Sequence, residues 1–352
     1  MKLFWLKLII FTLPFIALAF IDLYILPEEY FTFRTWEIVS YNRFDNLRIG
    51  PFYPSVRINK LEEGNLGHDS KYAIAKEVEW ITDKYGYRNY ENKGHETLVL
   101  GDSNIAGATL DQKDTFTEVL EDMIDGDVYS MGQANINDYL LDRRFVNNPP
   151  KRVIMASIRI LPDIDTKISP KYGLKERLKE NNIIKNIIIK LDKLLKFRMI
   201  NYINSAFQRT VNKFFNEETI PEIGFVNNDV LFLKLKYDYY RKLDSDVAKA
   251  TNIIKKYNDY FTSHEIEFIF LPIPNKRDIY HDLIPQEKKS NFVPLLIDSL
   301  SSEGIKVIDI YTSFEEAYQN DENLYHIDDT HWNKQGVYKA AKATAEIINN
   351  TN

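Results

Sequence analysis

The sequence predicts an α/β protein, a three-layer fold with a mostly parallel sheet, preceded by an N-terminal membrane-anchor helix and carrying a helical insertion. Three observations predict it. From Thr97 onward, short apolar runs alternate with stretches of helical spacing, the pattern of a parallel sheet covered by helices on both faces. The first of those runs, Thr97–Leu100, ends in Gly101-Asp102-Ser103, which reads as a buried strand meeting a tight turn. Ahead of both lies an apolar run from Leu8 to Leu26, broken only by Thr12, Pro14 and Asp22.

That run is close to the roughly 20 residues a helix needs to cross a bilayer. Lys2 and Lys7 lie before or at its start, and Asp22, Glu28 and Glu29 at or beyond its end. The positive-inside rule puts the N-terminus in the cytoplasm and the remainder in the periplasm or at the cell surface. A cleaved signal peptide would show a small-x-small site after a shorter apolar core. Ala17 and Ala19 have that spacing but sit inside the run, followed by bulky Phe20, Ile21, Leu23 and Tyr24, so the reading is an uncleaved anchor over residues 1–27.

Residues 28–92 are aromatic and polar with weak periodicity, and read as an extended lead-in that wraps the domain beyond. The domain itself spans 93–352. Its predicted elements are the strand at 97–100, a helix over Asp114–Met123, a strand Asp127–Met131, a helix Asn137–Phe145 and a strand Val153–Ile158. There follow a helix around Ser245–Phe261, a strand Glu265–Leu271, a helix Phe292–Leu300, a strand Ile305–Ile310 and a last helix from about Lys334 to Ile348. Between them, about 164–230, a segment rich in Lys, Asn and Ile shows no strand–helix alternation and reads as a helical insertion. A basic amphipathic helix of this kind either caps the core or lies on an anionic surface.

Composition narrows the chemistry. With 44% hydrophobic and 27% charged residues the chain is globular rather than disordered, and a net charge of −6 argues against nucleic acid as partner. The absence of cysteine excludes disulfides, thiolate metal sites and a cysteine nucleophile. No glycine-rich nucleotide loop and no metal site stand out, and no cofactor is expected.

A serine is a poor nucleophile until a base takes its proton, and an imidazole serves best when a carboxylate fixes its tautomer. Ser103 sits where a strand's carboxyl end would meet a helix, so its hydroxyl is held at the ligand-binding edge of the sheet and nearby N–H groups can face an oxyanion. Asp328-Asp329-Thr330-His331-Trp332-Asn333, just before the last helix, supplies a base with acids on the same loop.

Together these blocks resemble the SGNH-hydrolase superfamily, whose first block holds the serine and whose last holds Asp and His, on a flavodoxin-like sheet. Phe270-Leu271-Pro272-Ile273-Pro274-Asn275-Lys276 with Ile279-Tyr280, and Thr82-Asp83-Lys84-Tyr85-Gly86-Tyr87-Arg88-Asn89, are similar to its alginate O-acetyltransferase-like branch. The resemblance covers roughly 75–160 and 260–350 and not the insertion. It implies Ser103 as nucleophile and His331 as base. The acid is Asp329 by the branch's Asp-Thr-His-Trp, or Asp328 by the general superfamily spacing, and the tetrapeptide favours Asp329. Gly132 matches the block whose N–H joins Ser103 N–H in the oxyanion hole. Many members add an asparagine after the next strand, where this chain has Arg159-Ile160-Leu161-Pro162. Asn135 or Asn104 could substitute, or Arg159 could face the pocket. Candidate substrate contacts are Arg159, Lys276, Tyr280 and Trp332.

The activity implied is O-acetyl transfer to a polysaccharide acceptor, drawing on an acyl donor such as a membrane-bound O-acyltransferase. The same triad would serve a deacetylating esterase, and the missing asparagine leaves room for a non-catalytic scaffold subunit.

Overall fold

The computed structural model describes residues 2–25, 34–41, 48–68, 70–157, 178, 181–195, 207, 223–227, 229–233, 244–284 and 289–350. Helix α1, Lys2–Phe20, continues as a π turn over Ile21–Ile25 and buries none of its residues. It starts six residues ahead of the apolar run, and its length and composition suffice to cross a membrane. Thr12 fits an apolar surround because its hydroxyl donates back to the Leu8 carbonyl at 2.9 Å.

The lead-in carries more regular structure than an extended wrap. It forms α2 (Thr35–Val39) and an antiparallel hairpin of β1 (Arg57–Glu62) and β2 (Lys76–Ile81), paired from Arg57↔Ile81 to Glu62↔Lys76. The hairpin escapes sequence reading because its strands are joined by the long segment 63–75 instead of a two-residue turn, and because Leu61 stays exposed.

The main sheet is built from β3 (Thr97–Gly101), β4 (Val128–Gly132), β5 (Arg152–Ala156), β8 (Glu267–Leu271) and β9 (Lys306–Val307). All neighbours are parallel, in the order β4-β3-β5-β8-β9. Every residue of β3 and β4 is buried, as a parallel strand covered on both faces requires. The chain runs from β3 out to β4 and returns to β5 on the other side of β3. The strand order therefore reverses beside β3, and the crevice beyond its carboxyl end is where open sheets bind ligands.

The helices beyond β3 are α3 (Phe116–Glu121), α4 (Ile136–Leu141), α5 (Arg143–Asn147), α6 (Asn182–Leu195), α7 (Asp244–Ser263), α8 (Lys276–Ile279), α9 (Phe292–Ser302), α10 (Ile310–Gln319) and α11 (Lys334–Asn349). Pairs α7–α9 and α3–α11 pack together over the sheet. The single helix expected at 137–145 is broken at Asp142, whose side chain caps α5 by accepting the Arg144 N–H. The strand expected at 305–310 is two residues long, because Asp309 caps α10 and turns the chain into a helix.

The insertion is not wholly helical. It contains α6, but ends in a second hairpin, β6 (Ile223–Asn227) with β7 (Val230–Leu233), where β-branched and aromatic residues flank an Asn-Asn-Asp turn sequence. Leu231 N–H donates to the Ile327 carbonyl at 2.8 Å, so this hairpin backs the loop that holds His331.

A small separate core joins lead-in to domain. Val39, Phe52, Val78 and Trp80 pack with Ala106, three residues after Ser103. Arg88 is buried there, its guanidinium 3.9 Å from the Trp80 ring centre. It donates to the carbonyls of Ala106, Gly107, Leu110 and Glu79 and to the Gln112 side chain. Burial lowers its proton affinity to about 10, against the pull of Glu62 and Asp111, so it stays charged at neutral pH. Arg88→Met leaves that set of buried carbonyls without a donor. Hydrogen bonds to a charged group contribute about 1.5–3 kcal/mol each and do not add fully, so a loss of at least about 3 kcal/mol is expected. The denaturant midpoint of unfolding measures it, and a variant within about 1 kcal/mol of wild type would contradict the staple.

Candidate active site

The serine turn is made by backbone geometry. A Cβ on Gly101 would collide with Ile105, and one on Gly132 would fall against the backbone of Ala106, so both positions admit only glycine beside this turn. Asp102 Oδ1 accepts the Asn104 N–H at 2.9 Å and its carboxamide at 3.1 Å, an Asx turn that consumes Asn104 as a candidate donor. Asp102 and Ser103 carbonyls then accept Ala106 and Ala108 N–H at 3.0 Å each. The segment after Ser103 is thus a run of turns, not the helix start the sequence suggested. Ser103 is half-buried, and among the described residues its N–H donates to no group.

His331 arrives from the other end of the chain. Tyr325 and Trp332 form an isolated antiparallel bridge, His326 N–H donates to the His331 carbonyl, and the Asn333 side chain caps α11. This fixes His331 so that its Nε2 lies 2.7 Å from Ser103 Oγ and its Nδ1 lies 2.5 Å from Asp329 Oδ1. Asp329 also accepts the His331 backbone N–H at 2.8 Å on Oδ1 and the Asn65 N–H at 2.6 Å on Oδ2. Burial alone would raise the proton affinity of this fully buried carboxyl. The charge and hydrogen bond of His331, the nearby His326 and the Asn65 amide outweigh it and hold Asp329 well below the usual carboxylate range. An ionised acceptor at Nδ1 calls for the tautomer with its proton there, leaving the Nε2 lone pair toward Ser103.

The structure brings Ser103, His331 and Asp329 together, and not the other acid. Asp328 turns away to Lys76 (2.7 and 2.8 Å) and to the N–H groups of Gly64 and Ile74. It anchors the loop and makes no contact with the imidazole. Four further assignments are corrected. Lys276 is 4% exposed, and its Nζ donates to the carbonyls of His326, Ile327 and Asp329 at 2.6–3.0 Å, so it braces the loop from inside instead of meeting substrate. Tyr280 is buried and its hydroxyl accepts the Leu324 N–H. Trp332 is fully buried and stacks on Phe116 with ring centres 5.9 Å apart. Asn135 is the N-cap of α4, its side chain accepting the Asn137 N–H, so its carboxamide oxygen is held by its own helix. Gly132 lies beside the serine turn as expected, but its N–H donates to Ser130 Oγ at 3.2 Å. Arg159 lies outside the described residues.

Sequence reasoning missed the loop 63–75. Asn65 binds Asp329 through its amide and exchanges hydrogen bonds with Thr330 through its carboxamide (2.9 and 3.0 Å). Leu66 and Gly67 N–H groups meet the Asp328 carbonyl, and a Cβ on Gly64 or Gly67 would strike Asp328. The Gly-x-x-Gly spacing is the only trace of this in the sequence. Among the described residues, no group of three or more His, Asp or Glu side chains gathers to hold a metal.

Residues 227–352, about a third of the chain, match the family model described as the SGNH hydrolase-like domain of acetyltransferase AlgX. That span holds His331 and Asp329 but not Ser103. Solved structures it is similar to include a lipolytic protein of the G-D-S-L family from Veillonella parvula, at 13% identity over 72% of this chain and 97% of that one, TM-score 0.37. Another is the lipase/acylhydrolase from Enterococcus faecalis, at 10% identity over 72% and 95%, TM-score 0.37. No curated protein matches the chain. The resemblance to the SGNH superfamily and its alginate O-acetyltransferase-like branch is borne out by the family match.

Two outcomes follow from the loop. Asp329→Asn should hold the imidazole in the wrong tautomer and lower turnover of an acetyl ester by about 10⁴-fold. Asp328→Asn should lower stability through Lys76 while leaving turnover within about tenfold. Parallel kinetics and thermal melts check both, and the reverse ranking would reassign the acid. Burial pushes the Lys276 amine from its ordinary 10.5 down to about 7, with Asp329 and Asp328 opposing. Between those values the unfolded chain holds a proton that the folded chain lacks, so stability from this group rises with pH across the window and is lost as pH falls toward 7. The wild-type minus Lys276→Met difference in unfolding free energy should therefore climb from pH 7 to 10, by up to about 1.4 kcal/mol per unit. A flat difference would show that the lysine does not titrate there.

Proposed function

We propose, for a chain whose residues 227–352 match an SGNH hydrolase-like domain model, that it transfers acetyl groups through Ser103 onto hydroxyls of a cell-surface or exported polysaccharide. The observation that carries this reading is the continuous run Ser103 Oγ–His331 Nε2, His331 Nδ1–Asp329, formed at the sheet's switch point.

In the proposed cycle Ser103 Oγ bonds the donor's acetyl carbon while His331 Nε2 takes its proton and the carbonyl electrons move onto oxygen. Collapse breaks the bond to the donor, which leaves with the proton from His331, and acetyl-Ser103 remains. A sugar hydroxyl then gives its proton to His331 and attacks the same carbon. Collapse returns the proton to Ser103 and releases the acetylated sugar. Asp329 stays ionised and stabilises the imidazolium in both halves. Ser103 N–H is the available oxyanion donor, and Gly132 N–H adds a second once the Ser130 hydroxyl turns away. A hole short of one donor is slower by about 10²–10³.

The reading includes an anchor. Helix α1, with Lys2 and Lys7 toward the cytoplasm, tethers the domain outside the membrane, within reach of a membrane-bound acyl donor.

The test follows an acetyl ester with and without a polysaccharide acceptor. Acetylated sugar is the expected product, and Ser103→Ala should lose about 10⁴-fold or more of turnover with its fold intact by circular dichroism. Free acetate alone, even with acceptor present, would make the chain an esterase. Wild-type turnover by Ser103→Ala would remove the enzyme reading.

A further inference from the structure

Helix α6 is amphipathic, but it is docked with an apolar stripe facing outward. Ile183, Ile187 and Leu191, one helical turn apart, are 72%, 51% and 43% exposed. Single exposed apolar side chains are common on soluble proteins, whereas three aligned along one helix face mark a contact surface. The opposite face holds the helix to the lead-in. Ile188 and Asp192 are buried, and Asp192 accepts the Tyr53 hydroxyl at 2.6 Å. Lys185 reaches the Lys84 carbonyl at 2.6 Å, and the Lys193 ammonium lies 5.0 Å from the Tyr53 ring centre.

Asp192, the helix's one acid, is turned inward, and Lys185 and Lys193 lie at the docked face, so of its three lysines Lys190 is the exposed one. The outward face therefore carries three apolar side chains, one lysine and no acid, in a chain whose net charge is −6. An exposed apolar stripe with a lysine and no acid beside it suits the boundary between anionic headgroups and acyl chains.

We infer that α6 is an interfacial helix that lays Ile183, Ile187 and Leu191 into the anionic bilayer in which α1 is anchored. This rests on the anchor reading of α1 in one respect: a tether makes the second contact intramolecular, so a stripe too short to bind a membrane alone binds effectively. With two attachments the domain has a fixed face toward the membrane, and the crevice over Ser103 keeps one orientation to a membrane-bound donor.

The chain has no cysteine, so one introduced thiol takes one label. In the full chain, Ile187→Cys, Leu191→Cys, Phe11→Cys in α1 and Lys249→Cys on exposed α7 are each labelled with a polarity-sensitive fluorophore. They are reconstituted in vesicles of phosphatidylglycerol and phosphatidylethanolamine, with and without nitroxide-bearing lipid. Blue-shifted emission quenched by the nitroxide is expected at 187, 191 and 11 but not at 249. Replacing phosphatidylglycerol by phosphatidylcholine should weaken it at 187 and 191 alone. Unquenched label at 187 and 191 overturns the inference whatever Phe11→Cys shows. A blue shift there without lipid quenching overturns it too, because protein would then cover the stripe. Loss of quenching at 11 alone would remove the anchor and leave the interfacial helix standing.

Discussion

A carboxylate removed from water must be surrounded by donors or it takes up a proton, and Asp329 is such a carboxylate. Its donors come from two distant parts of the chain. His331 supplies its ring and its own amide from two residues away, while Asn65 supplies an amide from 264 residues earlier. The hairpin β1–β2 is therefore part of the acid's environment even though it lies outside the main sheet. Glycines 64 and 67 allow the approach, and Lys76, Gly64 and Ile74 hold Asp328 so that its neighbour faces the imidazole.

The two halves of the triad lie on irregular backbone, which has carbonyls that no strand or helix satisfies. One buried cation answers each. Arg88 gathers the carbonyls of Ala106, Gly107 and Leu110 under the serine turn. Lys276 gathers those of His326, Ile327 and Asp329 under the acid–base loop. In its ammonium form it has three N–H groups for these three acceptors, and burial weakens its hold on one of those protons, which the folded chain releases near pH 7. Both residues fell in segments read from the sequence as family signatures, and their role is to rigidify what carries the chemistry.

What the sequence disclosed divides along physical lines. Ser103 and His331 were legible because local order marks them, a buried run ending in Gly-Asp-Ser and a histidine with acids two and three residues before it, whereas the choice of Asp329 over Asp328 came from the resemblance to the alginate branch. The parallel sheet was legible because strands covered on both faces must be continuously apolar, as Leu98-Val99-Leu100 is. Lys276, Tyr280 and Trp332 were misassigned because a polar tip on a loop near the site looks the same whether it points out or in. The structure turns each inward onto a backbone group or an aromatic ring. Asn65 and Lys76 were invisible because their partners lie more than 250 residues away, and no local pattern encodes such a pairing.

The lead-in connects the apolar helix α1 to Ser103 in sequence, and the contacts give that order a consequence. Segment 34–92 supplies the small core against Ala106, the Arg88 staple under the serine turn and the Asn65 amide on Asp329. A catalytic domain counted from residue 93 would keep all three triad side chains yet lack the groups that place two of them. Catalytic geometry of this kind tolerates displacements of only about 0.5 Å. The segment joining α1 to the domain is then not a spacer that can be lengthened or exchanged freely. It must reach the site folded, with its hairpin loop closed over Asp328 and Asp329, before His331 has a fixed partner on its far side.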